Sequence, residues 1–141
     1  MKRELYDEIG VGTVLVPTTV TATGASSWVD LAGYSDCVFL LRVEAVTGSG
    51  TLTPSIETGD TTGDSAATAA ATGDTIGTVT AIDQDTDLVL RKIAYVDSGN
   101  HRYARLKYTV AGSFSATVTI LAVVSGATSE PAADPTVAAA T

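Results

Sequence analysis

Apolar and polar residues alternate at every second position along much of this chain, and the pattern predicts β-strands. The clearest case is residues 37–46, with the sequence CVFLLRVEAV. The opposite face of this segment starts apolar and becomes polar at Arg42 and Glu44. A strand that packs one side against a core shows this alternation. The residues predicted to face that core are Cys37, Phe39, Leu41, Val43 and Ala45.

Further strands are expected where runs rich in Val and Thr lie between turn residues such as Gly, Asp, Ser and Asn. Pro17 and Pro54 cannot donate a ladder hydrogen bond, so their segments are predicted at sheet edges. About seven or eight short strands with regular turns predict an all-β fold, a two-sheet antiparallel β-sandwich or jelly roll. The predicted strands are residues 13–23, 28–31, 37–46, 51–57, 76–82, 88–96, 102–110 and 114–124.

The chain divides by composition into three parts and one long connection. Residues 1–27 are predicted to be an N-terminal arm and edge strand, 28–126 the sandwich domain, and 127–141 an extended C-terminal tail. Residues 58–75 consist entirely of Gly, Asp, Thr, Ala and Ser and are expected to form one long loop. Connections of this length in a compact domain are usually functional or flexible.

Composition and charge exclude several classes of function. The 141 residues are 45% hydrophobic but only 6% aromatic, which predicts a thin core. A formal charge of −8 disfavours binding to nucleic acid or to an anionic membrane. Residues 1–8 lack the apolar region of a secretory signal, so synthesis in the cytoplasm is expected. Cys37, the single cysteine, lies in an apolar run and is predicted to be buried rather than reactive.

Two places could carry chemistry. Asp83, Asp85 and Asp87 have the spacing that opens a calcium loop, but Leu88 and Ala94 stand where an EF-hand needs Gly and Glu. A solvated turn is favoured, while a metal site shared across a subunit boundary stays open. His101 has no nucleophile and orienting group in a recognisable pattern around it. We therefore expect neither an enzyme nor a bound cofactor.

The basic residues cluster in one region of the chain. Five of them fall within residues 91–107, and an acidic stretch precedes them. Alternation along residues 102–108 predicts one face with Tyr103, Arg105 and Lys107. A basic face and an acidic loop on one chain suit contact between copies or with a charged lattice. An ordinary charged sheet face fits equally well. The predicted opposite face consists of Ala104, Leu106 and Tyr108.

Two segments resemble a known family. The first is VDLAGYSD at residues 29–36, leading into the apolar strand and then TGSGTLT at residues 47–53. The second is YVD at residues 95–97 with HRYARL at 101–106, followed by TVAG at 109–112. They resemble segments of the head decoration, or cement, proteins of tailed bacteriophages. The likeness spans about residues 28–126 and carries no catalytic signature.

This resemblance implies a virion structural protein, made in the host bacterial cytoplasm, that binds the outer head surface. Its partner would be the lattice of the major capsid protein, and a homo-oligomer is expected, with a trimer favoured. The terminal segments would cross to neighbouring subunits by strand addition. A tail-tube or tail-accessory protein and a carbohydrate-binding β-sandwich remain as alternatives. The candidate interface residues are Pro17, Thr19, Arg102, Tyr103, Arg105 and Lys107.

Overall fold

A computed structural model describes residues 3–84, 88–96, 101–127 and 134–139. One short helix, α1 (Arg3–Glu8), precedes the first strand. The remainder of the described chain is built from strands and short turns, which confirms the predicted all-β class. The strands are β1 (Gly10–Val20), β2 (Gly24–Ala25), β3 (Trp28–Asp30), β4 (Asp36–Thr47), β5 (Thr51–Gly59), β6 (Thr68–Ala69), β7 (Thr75–Gly77), β8 (Leu88–Val96), β9 (Tyr103–Ala111), β10 (Ser115–Ser125) and β11 (Val137–Ala138).

The strands form two antiparallel sheets, so the predicted two-sheet sandwich is confirmed. The first sheet has the order β1-β10-β4-β8-β7. The second has the order β11-β3-β9-β5-β6, and β2 also pairs with β9. Sequential hairpins are few, because β4 pairs with β10 and β8 while β5 pairs with β9. The order of pairing is therefore decided by contacts distant in sequence.

The core lies between the two sheets and is built from alternate residues of each. On β4, Cys37, Phe39, Leu41 and Val43 are fully buried, as the alternation predicts. Ala45 is exposed, which corrects its predicted inward position. It has a φ of 54° and lies where the register between β4 and β10 shifts by one residue, so a bulge reverses the alternation there. Residues of the second sheet that complete the core include Val29, Leu52, Ile56, Ala104 and Leu106.

Two side-chain hydroxyls complete the backbone hydrogen bonds of β9. The Ser26 amide donates to the Leu106 carbonyl, and the Leu106 amide donates in turn to Ser26 Oγ at 3.1 Å. Thr23 Oγ1 accepts from the Val110 amide at 2.9 Å in the same way. The hydroxyls therefore stand in for carbonyl oxygens where the short β2 and its neighbours cannot supply a continuous ladder.

Replacing Ser26 with alanine tests this arrangement. The change leaves the buried Leu106 amide without its acceptor, which costs about 1–3 kcal/mol of the free energy of unfolding. Urea denaturation measures the loss. Ser27→Ala is the matched control, because the Ser27 backbone rather than its hydroxyl bonds to Val14 and Ser26. Equal stability of the two variants would show that Ser26 Oγ is not needed.

Residues 58–75 are not one long loop, which corrects the sequence prediction. Their first two residues belong to β5, and β6 pairs back on β5 with Glu57 opposite Ala69. Two short 3-10 turns, Asp64–Ala66 and Thr72–Asp74, lie on either side of β6. The segment then crosses to the first sheet, where Ile76 of β7 pairs with Ala94. Backbone pairing at two points therefore holds this segment in place, although its composition is typical of a flexible loop.

The strand predicted over residues 76–82 is mostly absent. β7 ends at Gly77, which has a φ of 126° and whose Cβ position would lie 2.6 Å from the Lys92 carbonyl oxygen. Only a single bridge follows, in which Ile82 exchanges two backbone hydrogen bonds with Leu52. A side chain would not fit at Gly77 beside β8, and the pairing between β7 and β8 ends at this residue.

The terminal segments pack on the sandwich. β1 is the edge strand of the first sheet and buries Val14 and Val20 in the core. β11 pairs with β3 in the second sheet, and the Asp134 carboxylate accepts from the Val11 amide of β1 at 3.0 Å. Residues 134–139 thereby bridge an edge of both sheets.

Candidate functional site

The outward face of the first sheet carries an apolar row that crosses all five strands. Each member of the row lies directly opposite the next in the register of the sheet. Cross-strand neighbours on one face pack against each other, so the row is continuous. From one edge to the other it consists of Val11, Val123, Val38, Ala94 and Ile76.

Further apolar side chains widen this row into a patch. Leu40 and Leu121 face each other beside the row. On β8, Leu90 lies on the same face as Ala94, four residues before it. Leu90 is 72% exposed, Ile76 60% and Leu88 58%. Exposed apolar side chains of this size that cluster on one face are typical of an interaction site. We call Val11, Val38, Leu40, Ile76, Leu88, Leu90, Ala94, Leu121 and Val123 the apolar face.

Charged residues on this side of the first sheet are few and balanced. Arg42 donates to Glu44 at 2.8 Å within β4. Lys92 and Asp36 are the other charged residues that the alternation of β4 and β8 directs outward. Their charges cancel among the described strands, so this part of the first sheet carries no net charge.

The outward face of the second sheet carries a polar cluster instead. Arg105 Nε and Nη2 donate to Glu57 Oε2 at 2.9 and 2.8 Å, and Lys107 Nζ donates to Glu57 Oε1 at 2.8 Å. Arg105 Nη1 donates to Asp64 Oδ1. The guanidinium lies 4.4 Å from the centre of the Trp28 ring, a cation–π contact.

This cluster is covered by the chain itself. The segment that contains Asp64 folds over it, and Trp28 is fully buried although it lies outside the main core. Among the described residues, the buried Trp28 Nε1–H has no hydrogen-bond acceptor. The cluster is thus a second, smaller core on the outside of the second sheet, made largely of paired charges.

The candidate interface residues from the sequence fall in different surroundings. Pro17 and Thr19 are exposed on edge strand β1. Arg102 is exposed and forms a two-pronged ion pair with Asp30, at 3.0 and 2.7 Å, and lies 5.1 Å from the Tyr103 ring centre. Arg105 is buried and its guanidinium is used within the chain, whereas Lys107 remains partly exposed. Tyr103, Arg105 and Lys107 do share a face, as the alternation predicts.

Sequence reasoning missed the apolar face. The signal was present in β8, where Leu88 and Leu90 alternate with the buried Val89 and so make both faces apolar. Its extent depended on the register with β4 and β10, which the sequence does not give.

The structure places some of the candidate chemical residues, and others lie outside the described part of the chain. His101 Nδ1 lies 3.2 Å from Asp60 Oδ1. Asp85 and Asp87 of the possible calcium loop lie outside the described residues, as do Asp97 and Ser98 near His101. Within the described part, no three His, Cys, Asp or Glu side chains are placed to hold a metal ion. Burial raises the pKa of the Cys37 thiol to about 12, so the predicted burial of Cys37 is confirmed.

The ion pairs of Glu57 and Asp30 make the stability of the fold depend on pH. Burial raises the pKa of Glu57, but the hydrogen bonds from Lys107 and Arg105 outweigh it and hold the pKa below the ordinary 4.5. The hydrogen bonds from Arg102 hold the pKa of Asp30 below the ordinary 3.8. A carboxyl whose pKa is lowered by folding stabilises fully above its unfolded pKa, and this contribution is lost as pH falls through the folded value.

We therefore expect the urea midpoint to fall as the pH drops below about 4.5. Glu57→Gln removes one of the responsible carboxyls and should flatten this acid limb while lowering stability at neutral pH. Urea titrations at a series of pH values measure both effects. An acid limb of unchanged slope would show that Glu57 is not among the groups that link pH to folding.

None of the helices in the described part of the chain is long and apolar enough to cross a membrane.

Comparison with known proteins places the chain only loosely. No family model and no curated protein sequence matches it. The fold is similar to the crystal structure of the SPBc2 prophage-derived protein YomS, with a TM-score of 0.45 and 14% identity over 83% of this chain and 92% of that one. A likeness at this level shows no function, so the geometry has to carry the functional argument.

Proposed function

We propose that this chain is a structural protein of a tailed-phage virion, which decorates and stabilises the head by binding the major capsid protein lattice on its outer surface. The observation that carries the proposal is the apolar face of the first sheet. An interface core is depleted of charge and rich in apolar side chains, and this surface has both properties. The function is mechanical: the protein adds contacts across a shell and needs no chemistry.

Charge distribution supports this orientation. The chain carries a formal charge of −8, and an acidic surface resists self-association. The apolar face is nearly neutral, with Arg42 and Glu44 paired at its border. Docking through this face would bury apolar area while the outward face of the second sheet and the loop with Asp60 and Asp64 remain in water. A weak contact of this kind gains strength when it is repeated across a lattice.

The length of an N-terminal deletion decides whether it tests binding or folding. Removing residues 1–20 would strip β1 from β10 and take Val14 and Val20 out of the core. Removing residues 1–9 leaves β1 in place. If strand addition at the exposed Pro17 and Thr19 contributes to lattice binding, the chain without residues 1–9 should still bind the lattice, because both residues remain in place.

The decisive experiment uses heads of the phage that encodes the chain, prepared without it. Purified protein is added to expanded heads and imaged by electron cryomicroscopy. We expect density at regular lattice positions for the native protein and its loss for Leu90→Asp, which places a charge in the apolar face. Thr109→Asp is the matched control, because Thr109 is exposed on the opposite side of the sandwich. Full occupancy by Leu90→Asp would overturn docking through this face.

The same images separate the alternatives. Density confined to the tail would replace the head assignment with a tail-tube or accessory role, and absence from the particle would overturn the structural role. The carbohydrate-binding alternative is weakened because three of the five aromatic residues that could stack on sugars are buried. Trp28, Tyr95 and Tyr108 are all buried. Analytical ultracentrifugation measures how many copies of the chain associate in solution, and we favour a trimer.

A further inference from the structure

A cleft of about 330 Å³ opens beside the polar cluster, at the junction of the two sheets. One wall is formed by Val14 and Leu15 of β1, and the other by residues 24–27. Arg105 and Lys107 also line it, together with Asp64 and Ala139. The cleft therefore combines small apolar walls with two cationic side chains.

The Arg105 guanidinium is fixed in place before any ligand arrives. Glu57 accepts from its Nε and Nη2, and Trp28 lies against its face at 4.4 Å. The Arg105 side chain is only 9% exposed, so little water is available to replace Asp64 as the acceptor for Nη1. A guanidinium held in this way presents a preorganised donor to a carboxylate or phosphate oxygen.

The present partner of Nη1 is Asp64, and Asp64 is easily replaced. Its carboxylate is 67% exposed and belongs to a short 3-10 turn in the covering segment. Because the Asp64 end of this pair is exposed, water competes for its carboxylate and weakens its hold on the guanidinium. Lys107 Nζ is partly exposed and donates to Glu57 Oε1, and an ammonium group has three donors. An oxyanion in the cleft would thus find two donors after Asp64 swings out.

We propose that this cleft is a binding site for an oxyanion carried on a short apolar stem, which displaces Asp64 from Arg105. The charged end would bind Arg105 Nη1 and Lys107 Nζ, and the stem would lie between Val14, Leu15 and Ala25. A free carboxylic acid and the glutamate side chain of a partner protein share this chemistry. The site is independent of docking through the apolar face.

The test is an NMR titration that follows the Arg105 Nε–H signal and the backbone amides of residues 24–27. Butyrate represents the free acid, an alanine-rich peptide with one central glutamate represents a partner side chain, and butyramide is the uncharged control. We expect saturable shifts with butyrate or the peptide and none with butyramide. Saturation by butyrate identifies a small-acid site, and saturation by the peptide alone identifies a site for a partner.

Two matched variants make the result specific. Asp64→Asn removes the competing carboxylate and should tighten binding by about fivefold, because the ligand no longer has to displace a charged partner from Arg105 Nη1. Asp60→Asn makes the same charge change in the same segment but contacts His101 instead, so it should leave the affinity unchanged. Lys107→Gln should weaken binding. Equal affinities for both aspartate variants, or no saturable shift with either acid, would overturn the proposal.

Discussion

Glu57→Ala is expected to lower the free energy of unfolding by about 3 kcal/mol at neutral pH, as for other buried ion pairs that lose one partner. Glu57 accepts hydrogen bonds from both Arg105 and Lys107 across the outward face of the second sheet. Lys107 can turn to water after the change, but Arg105 is held against Trp28 and is almost fully buried. The cost therefore comes from a buried cation that keeps only Asp64 as a carboxylate partner.

Glu44→Ala is the control for this prediction. Glu44 forms an ion pair of the same length with Arg42, but both side chains are well exposed. Its loss should change stability by no more than about 0.5 kcal/mol. Urea denaturation followed by the fluorescence of Trp28, the single tryptophan, measures both variants and also reports directly on the cluster. Similar small losses would mean that solvent reaches Arg105 and that the cluster is not a second core.

Leu41→Ala should cost about 2–5 kcal/mol, the range for a leucine truncated in a packed core. Leu41 is fully buried in β4, the central strand of the first sheet, between Ile120 of β10 and Arg91 of β8. The surrounding strands are hydrogen-bonded on both sides and can close only part of the cavity. Urea denaturation gives the loss, and an unchanged slope with denaturant shows that the fold is retained.

Leu90→Ala removes the same atoms from the outward face of the same sheet. Because Leu90 is largely exposed, the stability of the isolated chain should change by no more than about 0.5 kcal/mol. Lattice binding should fall sharply, since the change truncates the most exposed side chain of the apolar face. A large, concentration-dependent stability loss would instead indicate that copies of the chain already cover this face.

Short-range patterning predicted individual strands well. Alternation identified β8 at residues 88–96 and placed Phe39 and Leu41 in the core, because a strand sends successive side chains to opposite faces. It failed at Ala45, where a positive φ and a bulge reverse the pattern. It also failed at Gly77, since the constraint there is the nearby Lys92 carbonyl rather than a neighbour in sequence.

Long-range pairing decided what the local pattern left open. The segment 58–75 reads as a flexible loop because no apolar periodicity marks it, yet β6 pairs with β5 and β7 with β8. Likewise, residues 102–108 read as a basic face suited to partners, whereas Glu57 and Asp64 neutralise Arg105 inside the chain. Both outcomes depend on residues ten or more positions apart in sequence.

The sequence by itself determined the class of the fold, the inward faces of β9 and of most of β4, and the lack of a recognisable catalytic motif, because these follow from side-chain chemistry at fixed local spacing. Only the tertiary structure decided which strands are neighbours. That choice aligned Val11, Val123, Val38, Ala94 and Ile76 into one outward-facing row and enclosed Arg105 between Glu57, Trp28 and Asp64. The physical reason is that cross-strand register joins residues far apart in sequence, so a surface assembled from five strands has no signature in any one of them.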